Sequence, residues 1–157
     1  DEFPVLGYMK QLENAIGQIA SFDVKLWVIL QDWNQGKELY GERWESFAGN
    51  AGIIQFFGNN DMTTSQYIST RLGKTRVGTA KTNEVNLDQQ KFGLTGKSYE
   101  QALYDLMTPD EIMRFFARSD ELKRQLIFWA GYRPMILQRI EYFNPDGPFY
   151  KLFKNLI

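Results

Sequence analysis

Cysteine and histidine are both missing from this chain of 157 residues. Without thiolate or imidazole there is no sulfur-and-nitrogen metal site, no disulfide framework, no thiol nucleophile and no Ser-His-Asp relay. Chemistry here must run on carboxylates, hydroxyls, amides, lysine and arginine. Absent cysteine fits a reducing compartment, although secreted bacterial domains can lack it as well. An excess of one charge is also lacking, since 18 basic side chains meet 19 acidic ones for a formal charge of −1. That excludes a domain that wraps nucleic acid through a positive field over its whole surface and leaves only a local basic loop for such a role. No apolar run reaches the ~20 residues a membrane-spanning helix needs, and the N-terminus has no signal-sequence pattern. The chain itself is therefore expected to be soluble and cytoplasmic. It opens on Asp1-Glu2-Phe3 with no initiator Met, which leads to the expectation that it belongs to a longer protein.

What is present suits one domain over residues 1–157: 43% apolar side chains, with 12 Phe, 8 Tyr and 4 Trp to fill a core. Met9, Leu12, Ala15, Ile16 and Ile19 recur at steps of three and four, predicting a helix over residues 4–20. Residues 24–30, Val-Lys-Leu-Trp-Val-Ile-Leu, read as a strand covered on both faces and ending at Gln31-Asp32. A second helical stretch carries Leu39, Trp44, Phe47 and Ala48 and closes at Gly49-Asn50. It leads to an apolar strand over residues 53–57, which ends at Gly58-Asn59-Asn60. Residues 61–72 form a third predicted helix, stopped by Gly73. Helix and buried strand alternate, which predicts an α/β layered domain with largely parallel strands and crossover helices.

From Lys74 to Ser98 the apolar periodicity fades, predicting a loop or a loose hairpin. Arg71, Lys74, Arg76 and Lys81 lie in a stretch with no acid between Asp61 and Glu84. They suit either contact with phosphates or a solvated connection carrying ordinary cations. A short helix is expected around Tyr99, Ala102, Leu103 and Leu106. Thr108-Pro109-Asp110-Glu111 is a capping box with proline in the first turn, and predicts a helix start. Strands over residues 125–130 and 135–142, joined by Gly131-Tyr132-Arg133-Pro134, predict an antiparallel pair at the sheet edge.

Ligands of open α/β sheets sit at the carboxyl ends of strands, which selects Gln31, Asp32, Asn59 and Asn60, together with Asp1-Glu2 ahead of the first helix. An Asp-Glu pair between strand and helix suits a Walker B element, although an acidic chain start accounts for two residues as well. Gly93-Leu94-Thr95-Gly96-Lys97-Ser98 imitates the end of a Walker A loop. The pattern needs Gly where Lys91 stands, and the polar residues 84–90 cannot be the buried strand that leads into a phosphate cradle. A surface turn before a helix capped by Ser98 explains it better.

The order of segments then resembles a known family. Asp1-Glu2-Phe3-Pro4-Val5-Leu6-Gly7 is followed by Leu26-Trp27-Val28-Ile29-Leu30-Gln31-Asp32 with Gln35 nearby. Phe56-Phe57-Gly58-Asn59-Asn60-Asp61 comes next, with Tyr67-Ile68-Ser69 and Leu72-Gly73, then Met107-Thr108-Pro109-Asp110-Glu111-Ile112 and Ala130-Gly131-Tyr132-Arg133-Pro134. Together they resemble the TraG/TraD-type coupling proteins of bacterial type IV secretion and conjugation. The resemblance implies the C-terminal part of a RecA-like P-loop NTPase domain, from the Walker B acids onward. The Walker A loop, membrane helices and all-helical insert would lie before Asp1. It implies an ATP- and Mg²⁺-dependent motor that forms a ring, a hexamer, at the cytoplasmic face of the inner membrane. That motor would hand relaxase-bound single-stranded DNA or effector proteins to the secretion channel. Asp1 would be the Mg²⁺-side acid, Glu2 the catalytic carboxylate and Gln31 the amide that senses the γ-phosphate. Arg71, Lys74 and Arg76 would be the nucleic-acid contacts. No arginine finger can be assigned where the first helix ends in Gln18-Ile19-Ala20-Ser21, and Arg43 and Arg71 are the substitutes. The chain alone is expected to be inactive. Two other readings stay open, a non-catalytic α/β docking module and a ring translocase of the chromosome-partitioning kind.

Overall fold

Aromatic side chains organise the interior. Phe3, Trp33, Tyr40, Trp44, Phe47 and Phe56 are all buried and meet ring against ring. In the computed structural model, which describes residues 3–82, 97–147 and 149–153, this cluster lies between one face of a small sheet and the helices above it. The helices are α1 (Lys10–Ala15), α2 (Trp33–Tyr40), α3 (Trp44–Asn50), α4 (Met62–Leu72), α5 (Pro109–Phe115) and the short α6 (Tyr150–Phe153). The strands are β1 (Ile53–Phe56), β2 (Lys74–Thr82), β3 (Lys97–Asp105), β4 (Arg124–Trp129) and β5 (Met135–Gln138). One sheet has the order β1-β4-β5, and β2 with β3 forms a separate ribbon.

The caps account for the helix boundaries. Asp32 accepts from the amides of Asn34 and Gln35 to start α2, and Asp61 accepts from Thr64 to start α4. Gly73, at φ 84°, ends α4 in a backbone region that costs glycine little. The expected capping box of α5 is complete: the Thr108 amide donates to Glu111 at 2.8 Å, and the Glu111 amide donates to the Thr108 hydroxyl at 3.3 Å. Those bonds to Thr108 hold the Glu111 carboxyl below its usual pKa. Gly36 sits under the indole of Trp44, where an added Cβ would come within 2.2 Å of the ring. Only glycine lets α2 and α3 approach so closely.

Several expectations are corrected. Among the described residues every ladder is antiparallel, β1 with β4 and β4 with β5 as well as β2 with β3. The edge hairpin β4–β5 is as predicted, with β5 ending at Gln138, but the largely parallel pairing is not seen within these residues. The reason lies in residues 24–30, which are in no ladder. Val28 and Leu30 pack against the core, while Trp27 is 84% exposed. A strand-like pattern records side chains that need cover, and a parallel ladder needs a backbone neighbour as well.

The helix predicted over residues 4–20 is broken. A 3₁₀ turn at Phe3–Leu6, α1 and a second 3₁₀ turn at Ile19–Phe22 replace it, with Gly7 at φ 70° interrupting the periodicity. Met9, Leu12 and Ile16 still pack against the core. Residues 99–105, expected to be helical, belong to β3. Tyr104 pairs with Thr75, Leu103 with Arg76 and Ala102 with Val77, and this nine-residue ladder overrides a helical spacing carried by few positions. Ser98 therefore pairs within a strand and caps no helix, while residues 93–96 lie outside the described residues. No helix among the described residues is long and apolar enough to cross a membrane.

Candidate functional site

Of the residues nominated from sequence, Gln31, Asp32, Asn59 and Asn60 lie toward the N-terminal end of α4, and Arg71, Lys74 and Arg76 at or just beyond its C-terminal end. At one end is the carboxyl end of the extended segment 24–30. The amide of Phe3 donates to the carbonyl of Ile29 at 3.1 Å, which fastens the first described residue alongside that segment. Gln31 follows and is exposed. Its amide donates to the side-chain oxygen of Gln35 at 2.9 Å. The amide of Trp33 donates to the buried hydroxyl of Thr64 at 2.9 Å, and the amides of Asn34 and Gln35 donate to Asp32 at 2.8 and 3.1 Å. Side chains thus hold the backbone donors of residues 31, 33, 34 and 35. Such a turn has little freedom left, and it presents the Gln31 side chain from a fixed base.

Thr64 also carries the connection onward, because its own amide donates to Asp61 at 2.7 Å. One turn on, Ile68 is fully buried, and the Ser69 hydroxyl donates to the Met107 carbonyl at 2.6 Å. Between α2 and α4 lies a cleft of about 430 Å³, floored by Trp33 and Tyr67, whose rings stack at 3.9 Å, and edged by Lys37, Gln66 and Thr70. On its edge the Thr70 hydroxyl donates to the Gln66 carbonyl at 2.9 Å.

The other end of α4, roughly 16 Å away for 11 residues, carries the cations. Arg71 donates to the Tyr67 hydroxyl at 2.7 Å and lies 4.9 Å from the Phe128 ring centroid. Lys74, at the start of β2, pairs with Asp105 at 3.4 Å. Arg76 is exposed, opposite Leu103, on the same face of the ribbon as Lys74. Lys74 and Arg76 therefore share a surface, whereas Arg71 is drawn down onto the rings beside the sheet. Lys97 enters β3 opposite Thr82.

The remaining nominated residues have specific surroundings. Asp1 and Glu2 lie outside the described residues. Asn59 buries its side-chain oxygen without a partner among the described residues. Arg43 pairs with Glu13 at 3.1 Å, and Glu13 also accepts from the Tyr8 hydroxyl at 2.5 Å. That hydrogen bond raises the Tyr8 pKa by favouring its protonated form. Asp120 grips Arg124 through two nitrogens, and those bonds hold its carboxyl well below the usual range. This pair closes the turn into β4. No group of three or more acids able to hold a metal occurs among the described residues.

The sequence nominates Gln31 but not Thr64, whose helical position gives no signal that its hydroxyl supports a residue 31 positions earlier. Gln35 was noticed only as a neighbour of Gln31. Its spacing of four could have identified it, since a side chain in the first turn of a helix can reach back to an amide preceding the cap.

Comparison with known proteins adds what the geometry lacks. Residues 1–155 match the family described as type IV secretory system conjugative DNA transfer. A probable conjugal transfer protein TraG of Sinorhizobium fredii is 34% identical over 152 residues, covering 93% of this chain and 22% of the relative. A conjugal transfer protein TraG of Rhizobium radiobacter is 32% identical over 148 residues, with the same 93% and 22%. The type IV secretion system-coupling protein VirD4 of Bartonella quintana is 29% identical over 148 residues, covering 92% and 22%. The chain thus spans about a fifth of the length of these relatives. Among solved structures, the bacterial conjugative coupling protein TrwB in its unbound monoclinic form aligns at a TM-score of 0.64 and 18% identity, over 95% of this chain and 32% of that one. The likeness bears out the α/β fold expected from the sequence.

Proposed function

We propose that this chain, which belongs to the type IV secretory system conjugative DNA transfer family, is the C-terminal part of the ATP-hydrolysing motor of a coupling protein. The observation that carries this reading is the locked turn at residues 31–35, held against the chain that follows Asp1-Glu2 by the bond from Phe3 to Ile29. It sets a neutral, exposed amide side chain at the end of an extended segment, where α/β folds place their ligands. The donor set suits a magnesium nucleotide: two carboxylates in sequence at Asp1 and Glu2, and an amide at Gln31.

In this reading Asp1 stands on the Mg²⁺ side, Glu2 accepts a proton from the attacking water and orients it, and Gln31 donates from its side-chain amide to the terminal phosphate. Bound Mg-ATP supplies the phosphoryl group whose hydrolysis drives movement. Lys74 and Arg76 offer a short basic face to a phosphate backbone, and repetition around a ring would multiply it. The whole protein would act as a ring at the inner membrane, moving DNA-relaxase complexes or effector proteins toward a secretion channel. The chain alone lacks a Walker A cradle and is expected to be inert.

The test is Glu2→Gln in the whole gene product. Nucleotide affinity should stay within about threefold while turnover falls at least 100-fold, the range expected when a general base is lost. Turnover that survives removes Glu2 from the role. Hydrolysis of Mg-ATP by the 157-residue chain alone would contradict its assignment as an incomplete motor.

A further inference from the structure

Gln35 makes a contact that the assignment of Gln31 does not require and does not explain. Helix α2 already has its cap, because Asp32 accepts from Asn34 and Gln35. The Gln35 side chain is therefore free of capping duty, and it turns back to accept from the Gln31 amide at 2.9 Å. Gln35 is half-buried, in the first turn of α2, next to Trp33 and Gly36, both buried and both packed against the Trp44 ring. Its base is thus rigid. The Gln31 amide is the last backbone donor before the cap, and the backbone at that point sets the direction in which the Gln31 side chain leaves the segment.

We infer that Gln35 is a positioning residue: its side-chain oxygen fixes the Gln31 peptide, and through it the direction of the Gln31 side-chain amide. This rests on the reading of Gln31 as a phosphate-sensing group. Preorganisation gives the contact its value, since a group held within a fraction of an ångström of its working geometry acts without first paying to be ordered. An amide oxygen suits the task, because it accepts a hydrogen bond at any pH.

Two substitutions in the whole gene product separate positioning from packing. Gln35→Met keeps length and volume and removes the acceptor, while Gln35→Glu keeps an acceptor oxygen and adds a charge in the first turn of α2, where the helix dipole tolerates it. Hydrogen exchange at the Gln31 amide, measured without nucleotide, should be about tenfold faster in Q35M and near the parent rate in Q35E. Turnover of Mg-ATP should fall about tenfold in Q35M with KM within about twofold, and Q35E should recover to within about threefold of the parent. Thermal midpoints should stay together.

Unchanged exchange and turnover in Q35M would overturn the inference. So would equal losses in both variants accompanied by lowered thermal midpoints, the signature of packing. Gln31→Ala is run in parallel. If it leaves turnover intact, Gln31 is not the sensing group and the catalytic half of the inference falls with it, even where Q35M speeds exchange. If Gln31→Ala abolishes turnover while Q35M changes nothing, the positioning role alone is wrong.

Discussion

The two ends of α4 use polar residues in opposite ways. At its N-terminal end, the side chains of Asp32, Gln35 and Thr64 accept from backbone amides, and the result is a turn of fixed shape beside buried Trp33 and Trp44. After its C-terminus the polar groups are cations on an exposed two-stranded ribbon, and Lys74 is satisfied by its cross-strand neighbour Asp105. Neutral amides and hydroxyls act over hydrogen-bond distance and need exact placement, so they are found where packing is dense. Cations act over about 8–10 Å at ordinary ionic strength and need only be near a surface. The difference separates a region built for geometry from one built for field.

That contrast predicts unequal responses to substitution. Gly36→Ala should have the largest effect, about 3 kcal/mol, because a Cβ would overlap the buried Trp44 ring. A urea midpoint that falls with an unchanged slope would register it. A loss below about 1 kcal/mol would mean that the turn is less rigid than its contacts imply. Thr64→Val keeps volume but leaves the buried Trp33 amide without an acceptor, a cost of about 1–3 kcal/mol by the same measurement. Neutralising Arg71, Lys74 and Arg76 together to Gln should move stability by no more than about 1 kcal/mol, since exposed pairs contribute little. Its effect belongs in binding: the salt dependence of single-strand DNA affinity in the whole protein should lose up to ~2 units of slope. If Arg71 stays on Phe128 and Tyr67 when DNA binds, the loss will be nearer ~1.4, the share of Lys74 and Arg76.

Legibility in the sequence followed the range of the interactions. The capping box of Thr108 with Glu111 was readable because donor and acceptor lie three residues apart. The turn at Gly131 and the hairpin it joins were readable for the same reason. Residues 24–30 show where pattern alone misleads: the apolar run reads as a strand covered on both faces, yet the segment joins no ladder and leaves Val24, Leu26, Trp27 and Ile29 exposed. The ribbon was obscured because Thr75, Gly78 and Thr79 in β2 and Glu100 and Gln101 in β3 blur the period of two. Of the candidate site, Gln31 is nominated by its place at the end of an apolar run and by the family resemblance. Thr64 was hidden, because its contact joins residues 31 apart and hydroxyls in helices usually serve their own backbone.

The pairing of β1 with β4 also sets a timetable. Gln55 and Gln125 touch across that ladder and are 70 residues apart, so at an elongation rate of ~5–20 residues per second β1 leaves the ribosome about 4–14 s before its partner exists. In that interval Ile53-Ile54-Gln55-Phe56-Phe57 is an uncharged, β-prone stretch with an open edge, the composition that seeds strand-to-strand association. The ribbon β2–β3 and helix α4 can form locally in the meantime, but neither covers that edge. Yield in a cell should therefore depend on slow synthesis, low temperature or a holding chaperone more than the stability of the finished fold would suggest.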